Sequence, residues 1–341
     1  MRVLQVMAGA AHGGAETCFV DTVLALHRAG LDQRVVIRRD AARAALLRAG
    51  GLDPIELPFG ARWIDFRTRF GLTRVSDAYK PDIAMAWMRR AGSYMTRGGA
   101  VNLGWFGGFY DLKYYRNCDY LAGMSADMRD HIVRSGWPAD RAHVLRAYAP
   151  EATGRRLDRP PAPLLLALGR LHEAKAFDVL IDAMAEVPEA HLWIAGEGDL
   201  RPALEQQIAR LGLGDRVRLL GWRNDRQDLL ATCDICVFPS RYEPFGIVSI
   251  EAWAARVPLI ATRSAGPGAL IEDGADGFLV PIDDKAALAA AMKRLIGNRD
   301  LQARLVEGGR RRYEAEFTEA AVVASYRALF ERMLAERKRA A

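Results

Sequence analysis

Short apolar runs alternate with longer amphipathic segments along nearly all of the 341 residues. The short runs are rich in valine, isoleucine and leucine, and this alternation predicts parallel sheets with helices on both faces. The predicted strands are Arg2–Met7, Gln33–Ile37, Ile83–Trp87, Val101–Phe106, Tyr120–Met124, Leu164–Leu168, His191–Ala195, Val217–Leu220, Ile235–Phe238, Leu259–Thr262 and Gly277–Val280. Helices are predicted between strands, among them Ala15–Ala29, Phe177–Glu186, Leu200–Leu211 and Lys285–Ile296.

A proline-rich segment divides this pattern into two series. Residues 149–163 carry four prolines among charged residues. Proline joins neither a helix interior nor a central strand, so the segment is typical of a linker. A length of 341 residues, at ~150 residues per domain, also predicts two domains. We therefore expect Rossmann-like domains at 1–158 and 159–316, followed by a last helix at 317–341.

The composition excludes several classes of protein. Hydrophobic residues make up 50% of the chain and charged residues 26%, as in an ordinary globular protein. Apolar runs stay below the ~18 residues that a membrane-spanning helix needs. The chain begins directly with a predicted strand, without the regions of a signal peptide. Four cysteines are too few for a disulfide framework, so we expect a cytoplasmic protein.

The net charge of +6 is distributed unevenly. Residues 1–150 contain 21 Lys and Arg against 14 Asp and Glu, whereas the rest of the chain contains 27 against 28. This asymmetry indicates contact with an anionic surface, such as phospholipid or a lipid-linked phosphate, or simply a solvated basic face. A nucleic-acid partner is disfavoured, because no binding motif accompanies the charge.

Three segments that follow predicted strands contain candidate binding residues. The glycine-rich turn at 8–16 can bring backbone N–H groups to a phosphate, although taken alone it is more typical of a plain tight turn. Its spacing differs from G-x-G-x-x-G, which disfavours a dinucleotide. After the strand at 164–168, Arg170 and Lys175 could stabilise a diphosphate leaving group, whose charge grows as its bond breaks. Solvated loop cations are the alternative.

The third segment, PSRYEPFGIVSIEA at 239–252, contains two glutamates at a strand-to-helix turn. Glu243 precedes a helix that begins near Gly246, and Glu251 lies about one turn inside it. Carboxylates accept hydrogen bonds from paired hydroxyls, which sugars and ribose both offer. The two glutamates could hold the two ends of a nucleotide-sugar, or they could be acids favoured near a helix N-terminus.

Metal and redox sites are disfavoured by the residues present. The chain has no Asp-x-Asp and no His/Cys cluster with metal-ligand spacing, which argues against a metal-dependent transferase. Cys233 and Cys236 have redox spacing but lead into a buried strand, so we expect them to pack in the core.

Taken together, the motifs resemble the large retaining glycosyltransferase family 4, which has the GT-B fold. The motifs that carry the resemblance are GGAE at 13–16, GRLHEAKAFDVLIDA at 169–183, AGEGDL at 195–200, PSRYEPFGIVSIEA at 239–252 and DGADGFLVP at 273–281. The resemblance implies an α/β architecture of two Rossmann-like domains whose parallel sheets face each other across a cleft. It also implies that the C-terminal helix crosses back to the N-terminal domain.

The resemblance further implies a role for individual residues. Arg170 and Lys175 would contact the donor diphosphate and Glu243 the hydroxyls of the donor sugar, which makes these three the expected catalytic residues. The expected donor-binding residues are Gly14, Gly196, Gly198, Trp222, Arg223, Phe245, Gly246, Ile247 and Glu251, the last of them at the ribose diol. No cofactor and no metal are expected, because the nucleotide diphosphate sugar is a substrate.

The implied activity is the transfer, with retention, of a hexose-type sugar from a nucleotide diphosphate sugar to a hydroxyl of a glycan or glycolipid. Segments 85–92 and 107–119 resemble a subgroup from bacterial lipopolysaccharide and surface-polysaccharide assembly. The alternatives are a GT-B nucleotide-sugar epimerase, a phosphorylase, or a non-catalytic nucleotide-sugar or glycan-binding relative. For the basic first half we expect a lipid-linked or glycan acceptor, with peripheral contact at the anionic inner face of the cytoplasmic membrane as a further hypothesis.

Three positions depart from the family pattern. Many members carry a histidine in the segment that matches residues 104–111, and here there is none. This leaves open which side chain, if any, assists the acceptor, with Asp111 as a second choice. Arg256 replaces the usual glycine after the glutamate helix, and Ala269 replaces a usual glutamate. These two replacements leave the selectivity for the donor sugar open.

Residues 62–70 form a predicted helix with Trp63, Phe66 and Phe70 on one face and arginines beside them. We expect this face to pack against the protein's own sheet. A helix that lies in a membrane interface is the alternative.

Overall fold

The structure, a computed structural model, describes residues 1–10, 13–60 and 65–340. The chain divides into two compact units, Met1–Tyr148 with Glu319–Ala341, and Ala149–Thr318. Counted by unit, the formal charge is +9 for the first and −3 for the second. The charge asymmetry is therefore larger than the division of the sequence at residue 150 indicated, because the last helix adds more basic than acidic residues to the first unit.

Among the described residues, the first unit contains a seven-stranded parallel sheet with the strand order β3-β2-β1-β4-β5-β6-β7. Its strands are β1 (Arg2–Met7), β2 (Asp32–Arg38), β3 (Ile55–Leu57), β4 (Ile83–Trp87), β5 (Val101–Phe106), β6 (Tyr120–Gly123) and β7 (Ala142–Val144). Its helices are α1 (Gly14–Arg28), α2 (Ala41–Ala49), α3 (Phe66–Tyr79), α4 (Met88–Tyr94), α5 (Ala126–Arg134) and α13 (Glu319–Ala340).

The last helix, α13, packs inside this first unit, although it follows the second unit in sequence. Its Tyr326 stacks on Trp87 of β4, with ring centroids 6.3 Å apart. At its first turn, Glu319 forms an ion pair with Arg28 of α1 at 2.6 Å. Burial of these aromatic rings, rather than the exposed ion pair, supplies most of the stabilisation.

The second unit contains a six-stranded parallel sheet with the order β10-β9-β8-β11-β12-β13. Its strands are β8 (Leu164–Leu168), β9 (His191–Ala195), β10 (Val217–Gly221), β11 (Ile235–Phe238), β12 (Leu259–Thr262) and β13 (Phe278–Val280). Its helices are α6 (Phe177–Met184), α7 (Arg201–Arg210), α8 (Arg226–Thr232), α9 (Ile247–Ala254), α10 (Ala265–Leu270), α11 (Lys285–Ile296) and α12 (Arg299–Glu316).

The predicted parallel α/β architecture is confirmed in both units. The core position expected for two cysteines is also confirmed, since Cys233 and Cys236 are buried. Burial raises the pKa of the Cys236 thiol to about 12, which makes it a poor nucleophile at neutral pH. Two short strands, β3 and β7, were not predicted, because three residues are too few to establish a hydrophobic period.

The prediction for the aromatic face of the helix near residue 66 is wrong. Phe66 and Phe70 of α3 are 69% and 73% exposed, respectively. The helix packs on its unit through Thr68 and Leu72 instead, both of which are buried. Trp63 lies outside the described residues. Within the described part of the chain, no helix has both the length and the apolar character needed to cross a membrane.

Candidate functional site

The candidate site residues of the second unit follow the carboxyl ends of neighbouring strands. In the register of the sheet, Ala195 of β9 pairs with Leu168 of β8 on one side and with Gly221 of β10 on the other. The segments that follow these three strands therefore begin side by side at the same edge of the sheet. β11 lies on the other side of β8 and leads into the segment that contains Glu243. Ligands of open parallel sheets bind at this edge.

The turns after β8 and β9 are in direct backbone contact, and two glycines make this contact sterically allowed. The N–H of Leu171 donates to the carbonyl of Glu197 at 2.9 Å. A Cβ atom on Gly196 would lie 1.8 Å from the carbonyl oxygen of Gly169, and one on Gly198 would lie 2.4 Å from that of Leu171. Both glycines therefore shape the turn that carries Arg170, and their contact with a donor stays a prediction.

Gly196→Ala is expected to destabilise the protein by at least ~2 kcal/mol, because the added methyl group would overlap a backbone oxygen that cannot move independently. The free energy of unfolding in urea measures the effect. Gly214→Ala is the matched control, since a Cβ atom there has no atom within 4 Å. Equal stability of the two variants would contradict this account of the turn.

Lys175 and Glu243 form an ion pair in front of helix α9. The Nζ atom of Lys175 lies 2.5 Å from Oε2 of Glu243 and 5.0 Å from the centroid of the Phe238 ring. The other carboxylate oxygen accepts the N–H of Gly246 at 3.2 Å. Both side chains are mostly buried, with 22% and 16% exposure. The arrangement places a cation and a helix N-terminus together, where both favour negative charge on a ligand.

The loop that carries Glu243 is held from two sides. Arg241 forms ion pairs with Asp178 of α6 at 2.7 Å and with Asp283 at 2.5 Å. On the other side, the N–H of Gly266 donates to the carbonyl of Glu243 at 2.7 Å. These contacts orient the carboxylate before any ligand binds, which lowers the entropic cost of binding.

Three further predicted donor residues of this segment have structural positions that explain the motif. Phe245 is 2% exposed and packs near Phe317, with ring centroids 6.5 Å apart. Gly246 has φ 94°, a left-handed conformation that glycine adopts without a steric penalty. Ile247 is the first residue of α9. The loop therefore turns sharply into the helix and leaves its first N–H groups near Glu243.

Glu251, one turn inside α9, pairs with Arg226 at the start of α8. Burial raises the pKa of Glu251, and the charge and hydrogen bond of Arg226 offset part of this effect. Sequence reasoning did not identify Arg226, because it lies 25 residues from Glu251 and no local pattern connects the two. The carboxylate is held by one partner and has hydrogen-bonding capacity left for hydroxyl groups.

The side chains of the remaining predicted residues of the second unit are more exposed to solvent. Trp222 follows β10, is 55% exposed and donates its indole N–H to Asn224 at 3.2 Å. Arg223 forms an ion pair with Asp225, which holds it beside the start of α8. Arg170 is exposed and has no ion-pair partner in the part of the chain that the structure describes. It therefore keeps its full charge available for a ligand.

The glycine-rich turn of the first unit closes on a buried glutamate. Glu16 is 8% exposed and accepts the backbone N–H of Ala10 at 2.8 Å. A Cβ atom on Gly13 would lie 2.3 Å from its carboxylate, so a larger residue there would require the Glu16 side chain to move. Gly14, a predicted donor contact, is the first residue of α1. Ala11 and His12 of this turn lie outside the described residues.

The loop after β5 lacks the family histidine in sequence, yet the fold brings a histidine to it. The Nε2 atom of His131, in α5, lies 3.2 Å from the carbonyl oxygen of Tyr110. Its imidazole ring packs edge-on against the Phe109 ring, with ring centroids 5.3 Å apart. Asp111 instead caps the short helix at 112–115 and forms an ion pair with Lys113 at 2.9 Å. The backbone N–H and the ammonium group of Lys113 hold the pKa of Asp111 below its ordinary value.

The structure shows the surroundings of two residues that depart from the family pattern, Arg256 and Ala269. Arg256, where the family has glycine, has φ 56°, so an arginine adopts here a conformation that glycine adopts more easily. Ala269 lies exposed on α10. In the described parts of the chain, no group of three or more His, Cys, Asp or Glu side chains is arranged to hold a metal ion.

Sequence comparison identifies relatives over the whole chain. A family model described as "Glycosyl transferases group 1" matches residues 162–298. The lipopolysaccharide core biosynthesis glycosyltransferase LpsD of Rhizobium meliloti (strain 1021) is 34% identical over 350 residues, covering 99% of this chain and 100% of that protein. LpsE of the same strain is 33% identical over 335 residues, covering 92% and 94%.

Structural comparison identifies the same architecture. The crystal structure of Anabaena HepE in complex with UDP has a TM-score of 0.85 at 20% identity and covers 97% of this chain and 100% of that one. The lipopolysaccharide outer core galactosyltransferase WaaB has a TM-score of 0.72 at 17% identity, with 97% and 100% covered. At these identities the likeness establishes the fold alone, and it agrees with the two parallel α/β units described above.

Proposed function

Since this chain belongs to the group 1 glycosyl transferases, we propose that it transfers a hexose-type sugar, with retention, from a nucleoside diphosphate sugar to a hydroxyl of a lipopolysaccharide core glycan. The observation that carries the proposal is the Lys175–Glu243 ion pair at the N-terminus of α9, one helical turn from Glu251. The cation and Glu243 before the helix, with Glu251 inside it, match the diphosphate and the two hydroxyl-bearing sugars of such a donor.

In the proposed reaction, the bond between the anomeric carbon and the diphosphate oxygen breaks, and the acceptor oxygen bonds to that carbon on the same face. The acceptor proton passes to the leaving phosphate oxygen. Negative charge grows on the diphosphate as its bond breaks, and Lys175, Arg170 and the N–H groups at the start of α9 stabilise it. Glu243 accepts hydrogen bonds from the sugar hydroxyls, and Glu251 accepts them from the ribose diol.

Further donor contacts follow from the same edge of the sheet. Trp222 offers an exposed aromatic ring on which a base can stack, and Arg223 and the turn at 196–198 lie at the ends of the neighbouring strands. We assign the acceptor to the first unit, whose charge of +9 suits an anionic glycan. We further propose that transfer requires no metal ion and no cofactor, so that excess EDTA leaves the rate unchanged.

A panel of UDP-, GDP- and ADP-sugars with a lipopolysaccharide core oligosaccharide tests the proposal. Thermal shift identifies the donor, since a nucleotide-sugar at a hundred times its Kd stabilises by about 2.7 kcal/mol. We expect nucleoside diphosphate to be released in proportion to the glycan present, and NMR of the product to show the anomeric configuration of the donor.

The other outcomes identify the alternative functions. Interconversion of the donor without a glycan would identify an epimerase, and a requirement for inorganic phosphate would identify a phosphorylase. Donor binding without turnover over a range of glycans would identify a non-catalytic relative. A product of inverted anomeric configuration would retain the transferase and contradict the proposed stereochemistry.

A further inference from the structure

A buried arginine lies at the carboxyl edge of the sheet in the first unit. Arg43, the third residue of α2, is 4% exposed, although arginine is almost never buried unless its charge is paired. Its Nη2 atom donates to the carbonyl of Ala10 and lies 3.6 Å from the carboxylate of Asp40. Its Nη1 atom is buried and has no hydrogen-bond partner among the residues that the structure describes. The guanidinium group therefore has unused hydrogen-bonding capacity beside the glycine-rich turn.

A buried donor without a partner costs free energy. Burial removes the water that would otherwise hydrogen-bond to Nη1 of Arg43, and the described residues supply no acceptor in its place. Native structures contain few groups of this kind, and those that occur mark strain, a functional role, or a bound water or ion. The surroundings of Arg43 favour a functional role.

The strand order places Arg43 at the point where ligands of such sheets bind. From β1 the chain adds β2 and β3 on one side and the remaining strands on the other. In the register, Met7 of β1 pairs with Ile37 of β2 and with Trp87 of β4, so the segments after these strands begin side by side. Ala10 and Arg43 follow β1 and β2, respectively. Open parallel sheets bind ligands in the crevice where the strand order reverses, which here is between β1 and β4.

Further basic side chains lie at the same edge. Arg38 ends β2 and Arg39 follows it, and both are exposed without an ion-pair partner in the described part of the chain. After β4, the exposed guanidinium of Arg89 lies 5.8 Å from the centroid of the Tyr114 ring. These charges attract anions to the edge, and Arg43 adds a donor that water does not screen.

We propose that Arg43 binds an oxyanion substituent, a phosphate ester or a carboxylate, of the acceptor glycan. One oxygen of that group accepts a hydrogen bond from Nη1 and completes the hydrogen bonding of the buried guanidinium. An anion is favoured over a neutral hydroxyl, because charge-assisted hydrogen bonds are about twice as strong as neutral ones. The inference rests on the proposed function for the identity of the glycan, and it specifies which chemical group of the acceptor the first unit recognises.

Calorimetric binding of a lipopolysaccharide core oligosaccharide to the full chain tests the inference. The oligosaccharide is used in three forms: untreated, stripped of phosphate esters, and with its carboxylates reduced to alcohols. Each form is measured with and without the nucleoside diphosphate selected by thermal shift. We expect one of the two treatments to weaken binding about 10- to 100-fold, the effect of losing a hydrogen bond to a charged group. The treatment that does so identifies the anion.

Arg43→Gln separates recognition of the anion from a structural role of the guanidinium. The glutamine lacks the charge, so the variant should bind the untreated oligosaccharide weakly and should no longer distinguish the three forms. A purely structural role would lower the free energy of unfolding and leave the discrimination intact. Arg43→Lys keeps the charge in another geometry and should recover part of the discrimination. Arg48→Gln is the matched control, since Arg48 is an exposed arginine of α2 that pairs with Asp53 at 2.9 Å.

The outcomes distinguish this inference from the proposed function. Wild-type binding that neither treatment weakens would overturn the inference, and so would an Arg43→Gln variant that still discriminates. The thermal shift produced by the donor nucleotide-sugar should be equal in wild type and Arg43→Gln, because it reports the donor site. Anion-dependent binding without any sugar transfer would support the inference and contradict the proposed activity. Transfer at equal rates to all three forms would support the activity and contradict the inference.

Discussion

Lys175→Ala is expected to lower kcat/KM for the nucleotide-sugar by about 10²- to 10³-fold, the effect of removing one preorganised charge from a developing oxyanion. The ammonium group lies beside Glu243 and against the Phe238 ring, in a partly buried position where water screens its charge incompletely. Most of the loss should appear in kcat, since the charge on the diphosphate is largest in the transition state. Steady-state kinetics with the donor identified by thermal shift provide the measurement.

Removing Lys175 also leaves Glu243 without its ion-pair partner, so stability must be measured alongside the kinetics. Lys293→Ala is the control, since Lys293 is an exposed lysine of helix α11 in the same unit. Lys175→Arg keeps the charge but changes its geometry, and it should recover only part of the activity. Transfer kinetics that are unchanged in a folded Lys175→Ala variant would refute the assignment of the diphosphate to this residue.

Glu251→Gln is expected to weaken binding of the donor nucleotide by about 10- to 100-fold, because hydrogen bonds to a charged acceptor contribute ~1.5–3 kcal/mol. The glutamine has the same shape but no charge, and it leaves Arg226 without a counter-ion. Removing the 2′-hydroxyl from the nucleoside diphosphate should weaken binding to the wild type and have little effect on the variant. Calorimetric Kd values for the four combinations form a double-mutant cycle.

The pH dependence of nucleotide binding provides an independent readout for Glu251. Its pKa is raised by burial, so the carboxyl group takes up its proton at a higher pH than an ordinary glutamate does. Binding that requires the ionised form should decrease as the pH falls through this raised pKa. The decrease should be absent in Glu251→Gln and present in Glu205→Gln, an exposed control on α7. A double-mutant cycle that shows no coupling between Glu251 and the 2′-hydroxyl would contradict the ribose contact.

The alternation of strands and helices was determined by the sequence, because hydrophobic period is a local property. Strands β1, β4, β5, β8, β9, β11 and β12 begin and end where the pattern predicted them. The short strands β3 and β7 were missed, since three residues beside a longer partner pair through tertiary contact rather than through their own pattern.

The candidate site was predictable only where one motif contained its residues. Glu243, Gly246 and Glu251 share one strand-to-helix segment, so their spacing alone placed Glu243 just before the helix, Gly246 at its start and Glu251 one turn inside it. The pairing of Lys175 with Glu243 joins residues 68 positions apart, and that of Arg226 with Glu251 joins residues 25 positions apart. Contacts of this range depend on the order of strands in the sheet, which brings separate loops to one edge.

The sequence by itself determined the parallel α/β class, the positive first half and the residue types available to bind a diphosphate and sugar hydroxyls. Tertiary structure alone decided that His131 lies against the loop from which the family histidine is absent, and that Phe66 and Phe70 face solvent. The physical reason is the same in both cases. A helical period shows which residues share a face, whereas the neighbouring elements determine whether that face is covered.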